Sequence, residues 1–372
     1  SDATDRMPMN TIRAAYLLEQ CWHPVPGGTA VAAVCLARAL ADRPDIELVG
    51  FAARHRTPPS GYLQPPVQVV HSALPRSVLY EAWHRLGRPS VDRLAGCPDL
   101  VHASGGAVPA TAGPLVATVH DISWRHQPDW ATRRGRRLAE SWLDDARRAD
   151  RVLCPSEATR RDLAAAGFNE DRLTVVPLGV EPSHVDPDRP AALRAAWSLD
   201  GPFVLWVGTV EPRKNLPALA EAMQRIPDVP LVVVGPTGWR ADREAVLAQL
   251  GDRVHLVGPV GETDKQAWYA AADVFCYPSL LEGFGLPVAE AMARGTPVVT
   301  AAGTATEEVA AGAALVVDPT DPAALAEAIA SLLADQGLSA RLAEAGRRRA
   351  AELTWPAAAR ATAAVYREVL GR

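Results

Sequence analysis

The sequence predicts an α/β protein made of two Rossmann-like, doubly wound domains. Short β-branched or apolar runs alternate with longer helical stretches along the whole chain, the pattern of parallel sheets covered by helices. At 372 residues the chain is long for one domain, since domains usually run to about 100–200 residues. A polar stretch rich in proline and aspartate, GVEPSHVDPDRP at 179–190, interrupts the alternation and reads as a linker.

Before the linker, strands are expected at 12–18, 46–51, 67–71, 100–103, 115–120, 151–154 and 173–176. Helices are expected at 29–41, 76–87, 132–148 and 157–166. After the linker a second series begins with PFVLWVG (202–208), LVVVG (231–235) and RVHLVG (253–258). It continues with DVFCYPS (273–279), TPVVT (296–300) and ALVVDP (314–319), and helices at 323–333, 340–353 and 357–370 finish the chain. The polar SDATDRMPMN at the start is set aside from fold reasoning.

Composition narrows the class. Hydrophobic residues make up 48% and charged residues 22%, enough apolar material for two ordinary cores. The formal charge of −5 argues against a nucleic-acid partner. Five cysteines, at 21, 35, 97, 154 and 276, lack metal or disulfide-framework spacing and read as reduced, mostly buried thiols. With no apolar run near the roughly 18 residues of a membrane span and no basic-then-apolar leader, a cytoplasmic location is expected.

Four segments could carry chemistry. In EGFGLPVAE, Gly283 and Gly285 let the backbone turn sharply, and Pro287 suits a first helical position. A helix beginning near Leu286 leaves the amides of Phe284, Gly285 and Leu286 as donors for anions or sugar hydroxyls. Glu282 before the loop and Glu290 one turn into the helix could grip two diols of one elongated ligand; otherwise they favour the helix N-terminus electrostatically. In VGTVEPRKN, Arg213 and Lys214 follow a strand at the sheet edge where α/β ligands bind. A planar fork beside a point charge suits a diphosphate, and a solvated basic pair is the plainer alternative.

The third segment, PGGTAVAAVCLARAL, opens a helix at Gly27 and Gly28, whose backbone could lie against a phosphate or simply make a tight turn. The fourth, TVHDISW, puts His120 and Asp121 at the end of an apolar strand, where His120 faces a ligand cleft or is satisfied by neighbours. His102 in LVHASGG reads more readily as a satisfied core histidine. Seven arginines between 133 and 151 could touch an anionic surface, although a solvated helix face accounts for them. DPD at 186–188 lies in the linker and reads as a hinge; no cluster has metal-ligand spacing.

Together these residues resemble the retaining glycosyltransferases of family 4. The resemblance covers nearly the whole chain: E-x7-E at Glu282 and Glu290, VGTVEPRKN, the glycine loop, and the landmarks HQPDW, RADRVLCPSEATRRDL and VVPLGV. It implies the GT-B fold, two Rossmann-like domains facing each other across a cleft, here 1–180 and 181–355 with a helix at 356–372 crossing back. Arg213 and Lys214 would hold the donor diphosphate, Glu290 the ribose, and Glu282 with Gly283, Phe284 and Gly285 the hexose. The loop from Gly258 to Val260 would meet the base, Gly28 the diphosphate, and His120 the sugar near its reacting carbon. GTATEEV at 303–309 departs from the usual Ser/Pro-rich turn, with Glu308 in the family's acidic position.

The implied reaction is transfer of a hexose from GDP-mannose, or a UDP- or dTDP-hexose, to a hydroxyl of a saccharide, lipid-linked saccharide or small natural product. It needs no metal or other cofactor, and peripheral membrane contact is expected if the acceptor is lipid-linked. Two rivals remain: a sugar-nucleotide epimerase of the same fold, and a two-lobed sugar-binding protein without chemistry.

Overall fold

The computed structural model describes residues 11–23, 27–59, 63–181, 184–238 and 248–372. The leading SDATDRMPMN, Pro26 of the glycine loop and linker residues 182–183 lie outside them. The chain forms two compact units: Ser1–Gly179 with Trp355–Arg372, and Val180–Thr354.

The first unit holds a seven-stranded sheet, order β3-β2-β1-β4-β5-β6-β7. Its strands are β1 (Ile12–Leu17), β2 (Ile46–Arg54), β3 (Val69–Pro75), β4 (Leu100–Ala103), β5 (Leu115–Thr118), β6 (Arg151–Cys154) and β7 (Leu173–Val175), all parallel. β4 and β5 are apolar along nearly their whole length, as strands covered on both faces must be. Phe51, Trp83, Leu79, Val101 and Leu163 anchor the core at 2% exposure or less. Burying an apolar side chain of this size is worth about 1.5–3 kcal/mol.

The last helix, Trp355–Leu370, belongs to this first unit. Its Tyr366 hydroxyl meets His102 Nδ1 at 2.7 Å, and His102 Nε2 meets Thr118 Oγ1 at 2.8 Å. His102 is therefore a satisfied core residue, and its burial pulls its pKa down to about 3. Arg367 pairs with Asp45, and Arg372 with Asp99 at 3.3 Å.

The second unit holds a six-stranded parallel sheet, order β10-β9-β8-β11-β12-β13. Its strands are β8 (Val204–Val207), β9 (Leu231–Val234), β10 (Val254–Gly258), β11 (Val274–Tyr277), β12 (Val298–Ala301) and β13 (Leu315–Val317). The four residues of β8, β9, β11 and β12 are all buried. Trp206, Phe203, Phe275 and Trp268 fill this core at 0% exposure.

Several boundaries differ from the sequence reading. β2 runs on to Arg54, and β3 starts at Val69 and ends at Pro75, beyond the expected 67–71. β5 ends at Thr118, so His120 lies past the strand. The linker is shorter than 179–190 because the helix Arg189–Ala196 accepts Pro190 in its first turn. Asp186, read as part of a hinge, shapes the turn into that helix: its Oδ1 accepts from Asp188 N at 3.0 Å and its carbonyl from Arg189 N at 2.9 Å. Among the described residues no helix is long and apolar enough to cross a membrane.

Candidate active site

The second sheet changes winding direction between β8 and β11, which are neighbours. Loops leaving such a switch diverge and open a crevice at the carboxyl ends of the strands. Both charged segments leave the sheet there.

After β8 the chain passes very close to the end of β9. A Cβ on Gly235, at φ 132°, would lie 2.0 Å from the carbonyl oxygen of Gly208, so the approach requires glycine. Pro212–Lys214 make one 3₁₀ turn, ended by Asn215 in the left-handed region at φ 56°. Asn215 Nδ2 donates to the Pro319 carbonyl at 2.7 Å, which fixes the turn. The loop after β11 is tied to it: Leu280 N donates to the Arg213 carbonyl at 2.8 Å, and Ser279 Oγ lies 3.1 Å from the same oxygen.

Glu282 is the hub. Its Oε1 accepts from Lys214 Nζ, from Tyr277 OH at 3.0 Å and from Ser279 Oγ at 2.7 Å. Its Oε2 accepts from Arg213 Nη1 at 3.1 Å. Arg213 Nε donates to Glu211 Oε2 at 3.0 Å, and Lys214 also donates to the Tyr277 hydroxyl. The Glu282 and Lys214 side chains are 8% and 9% exposed, so these charges are strongly coupled. Burial alone would raise the Glu282 pKa, but Lys214 and Arg213 outweigh it and hold the carboxyl at about 2. Lys214 is pushed the other way by burial and by Arg213, only partly offset by Glu282. One carboxylate is thus shared by two cations; its charge is secure, and Lys214 is the group that gains most from a further anion.

Gly285 stands at φ 104° as the cap of the helix Leu286–Arg294, with Pro287 in its first turn. A Cβ there would come within 2.6 Å of Thr306 Cγ2. Among the described residues, the amides of Phe284, Gly285 and Leu286 donate to no protein group. One turn on, Glu290 accepts from Lys265 Nζ at 2.8 Å and from Tyr269 OH at 2.9 Å. Burial raises its pKa despite Lys265, with Glu262 pushing in the same direction. Val260 follows β10 directly, between Gly258 and the helix cap Gly261.

The first sheet has its own switch, between β1 and β4. Gly27 caps the helix Gly28–Ala41 after β1, and both glycines are exposed. His120 Nε2 donates to the Ser104 carbonyl at 3.0 Å, and burial lowers its pKa, so the ring is neutral at pH 7. A pocket of about 400 Å³ opens beside His120. Its walls come from Thr29, from the segments following β4 and β5, and from Ala139, Trp142 and Leu143 on the helix Arg133–Ala146.

The comparisons with known proteins bear on both regions. Residues 26–184 match the model described as Glycosyltransferase Family 4, and residues 193–349 the model described as Glycosyl transferases group 1. The D-inositol 3-phosphate glycosyltransferase of Xylanimonas cellulosilytica is 34% identical, over 93% of this chain and 93% of its own. The chain belongs to the group 1/family 4 glycosyltransferases.

The O-antigen chain mannosyltransferase B of Escherichia coli is 31% identical to this glycosyltransferase, over 69% of this chain and 71% of its own. Sucrose-phosphate synthase from Thermosynechococcus elongatus shares the fold with a TM-score of 0.78 at 24% identity, covering 97% and 99% of the two chains. The resemblance to family 4 and the two-domain α/β architecture are therefore borne out. Family membership favours transfer over the epimerase and binding-protein readings.

The structure brings Arg213, Lys214 and Glu282 of this glycosyltransferase into direct contact, with Gly283, Phe284, Gly285 and Leu286 in the adjoining loop. Glu290 sits in a separate cluster with Lys265 and Tyr269. Gly27, Gly28 and His120 belong to the other unit. Sequence reasoning missed Tyr277, Ser279 and Glu211 around the hub, and Lys265, Tyr269 and Glu262 around Glu290. Two signals were available: Tyr277 and Ser279 stand two apart at the end of β11, and Glu262 and Lys265 stand one helical turn apart.

Proposed function

We propose that this glycosyltransferase moves a hexose from a nucleotide-diphosphate sugar to an acceptor hydroxyl with retention at the anomeric carbon. The acceptor oxygen bonds to C1 as the bond from C1 to the diphosphate oxygen breaks, and the departing diphosphate takes the acceptor's proton. No protein nucleophile takes part in this route. The observation that carries the reading is the Arg213–Lys214–Glu282 cluster at the β8/β11 switch, beside three amides with no protein acceptor among the described residues.

Arg213 and Lys214 supply the positive charge for the leaving diphosphate, the role a metal ion fills in other transferases. A diphosphate would also restore the Lys214 charge that burial weakens. Glu282 aims both cations; its Oε2 accepts only from Arg213 among the described residues, which leaves lone-pair capacity for a hexose hydroxyl. Glu290 suits the ribose diol, with Val260 offering backbone groups to the base. Gly28 and His120 keep the roles that the family resemblance implies. GDP-mannose is the first donor to test, the E. coli relative being named a mannosyltransferase, and UDP- and dTDP-hexoses follow.

Nucleotide release from these donors tests the reading. Arg213→Ala and Lys214→Ala should each lower kcat by about 10²–10³. Near-full turnover in both folded variants would overturn the mechanism. Conversion of the donor sugar without any acceptor would favour the epimerase instead.

A further inference from the structure

The pocket beside His120 has a composition that the transfer reading leaves unexplained. Its lining grades from exposed His23 and Gly27, through half-buried Gln20, Thr118 and Asp121, to a deep wall of buried apolar groups. That wall is Ala103, Val108, Ala117, Leu143 and Ala146, each at 2% exposure or less and each part of the unit's hydrophobic core. Small side chains make the space, and two indoles, Trp124 and Trp142, flank it. Trp124 Nε1 donates to Glu140 Oε1 at 2.7 Å, which holds that ring in place.

Charge is the second observation. Among the described residues the lining contains no lysine or arginine, and its one carboxylate is Asp121. Asp121 Oδ1 accepts from Ser123 N at 3.0 Å, while Oδ2 has no partner among the described residues. A phosphate ester in the depth of the pocket would find no cationic side chain and would face a carboxylate, which costs both desolvation and repulsion; backbone donors for an anion are confined to the exposed rim at Gly27.

We propose that the pocket selects an uncharged acceptor whose hydroxyl is carried on a compact apolar or aromatic body, and rejects phosphorylated polyols. The body lies against the apolar wall and the indoles, where burial releases water from both surfaces. The hydroxyl stays at the polar rim with Thr118, His120 and Asp121. A volume of about 400 Å³ lies in the range of pockets that enclose one small molecule. Asp121 and Ala139 are then specificity-determining residues: the first by charge, the second by leaving room on the helix wall. This inference rests on the glycosyltransferase reading for its meaning, but its test is binding and needs no turnover.

The experiment is calorimetric titration of the full chain, without donor, against 7-hydroxycoumarin, myo-inositol and myo-inositol 1-phosphate. The coumarin should bind about tenfold or more tighter than myo-inositol, a modest return for burying one aromatic body. The inositol phosphate should bind weakest. Ala139→Phe should abolish the coumarin's advantage, and Asp121→Lys should strengthen inositol phosphate binding about tenfold or more. Thermal melts establish that each variant is folded. The proposal is overturned if the phosphate binds tightest to the native protein, if the coumarin does not bind, or if folded Ala139→Phe binds it unchanged. Coumarin binding without nucleotide release from any donor would sink the transfer reading alone. Nucleotide release with a phosphorylated acceptor preferred would sink the pocket inference alone.

Discussion

The two sheets each present a working region at a topological switch, and the two regions are built on opposite principles. Around Glu282, four donors converge on one carboxylate, and every charge is held by another. Around His120, the walls are mostly apolar, the imidazole is neutral and one carboxylate stands without a cation among the described residues. In the proposed transfer the first would meet charge that develops during the reaction, at no further cost of reorganisation. The second would fit a shape. A transferase has use for both, because a leaving diphosphate is the same for every acceptor whereas the acceptor itself must be chosen.

The contrast breaks most visibly if the Glu282 hub is removed. Glu282→Ala leaves Lys214 buried beside Arg213 with no carboxylate between them, and should cost about 3–5 kcal/mol of stability. Glu282→Gln keeps an acceptor oxygen and should cost less. Denaturant unfolding of both variants checks the ranking; equal small losses would mean that the cluster is not the coupled unit its distances describe. A volume-conserving apolar swap on the pocket wall, such as Leu143→Met, should cost less than about 1.5 kcal/mol, since no charge there depends on another.

Acid sharpens the comparison by separating the units along the pH axis. His102, in the first unit, has its pKa lowered to about 3, so below its ordinary value of 6.5 the unfolded chain takes a proton that the folded chain refuses. Stability therefore falls as pH drops from 6.5 to 3, by on the order of 1 kcal/mol per unit. His120 adds in the same direction. Glu282, in the second unit, is held at about 2 against an ordinary 4.5, so its contribution is intact above 4.5 and is lost as pH falls toward 2. On acidification, amide exchange in β4 should accelerate before exchange in β11. The reverse order would contradict the assignment of a neutral buried histidine to the first unit.

Much of this was legible in the sequence, and the physical reason differs by region. β-branched runs under helices mark fully buried parallel strands, so β4, β6 and the strands of the second sheet were readable to within a few residues. Arg213, Lys214 and Glu282 were readable as one site because loops after neighbouring strands of a doubly wound sheet must meet. Tyr277 and Ser279, the other two partners of Glu282, were not, since a tyrosine and a serine at a strand end look like ordinary core and turn residues. The pocket was invisible for a further reason. Ala139, Trp142, Leu143 and Ala146 follow the spacing of any helix stripe facing a core, and nothing in that stripe tells a filled interior from an open one.

The smallest expected effect probes how firmly the first unit is tied to the end of the chain. Tyr366, from the last helix, supplies the hydroxyl at His102 Nδ1, and Thr118 supplies the other at Nε2. A hydroxyl can donate or accept, so the pair satisfies a neutral imidazole in either tautomer. Tyr366→Phe keeps the ring, which meets His102 edge-on at 5.7 Å, and deletes the hydroxyl alone. One imidazole nitrogen is then buried without a partner, at a cost of about 1–3 kcal/mol. The loss should leave the charged hub of the second unit untouched, so amide exchange should quicken in the last helix and β4 while β11 keeps its protection. Equal acceleration in β11 would show that the two regions do not stand or fall separately.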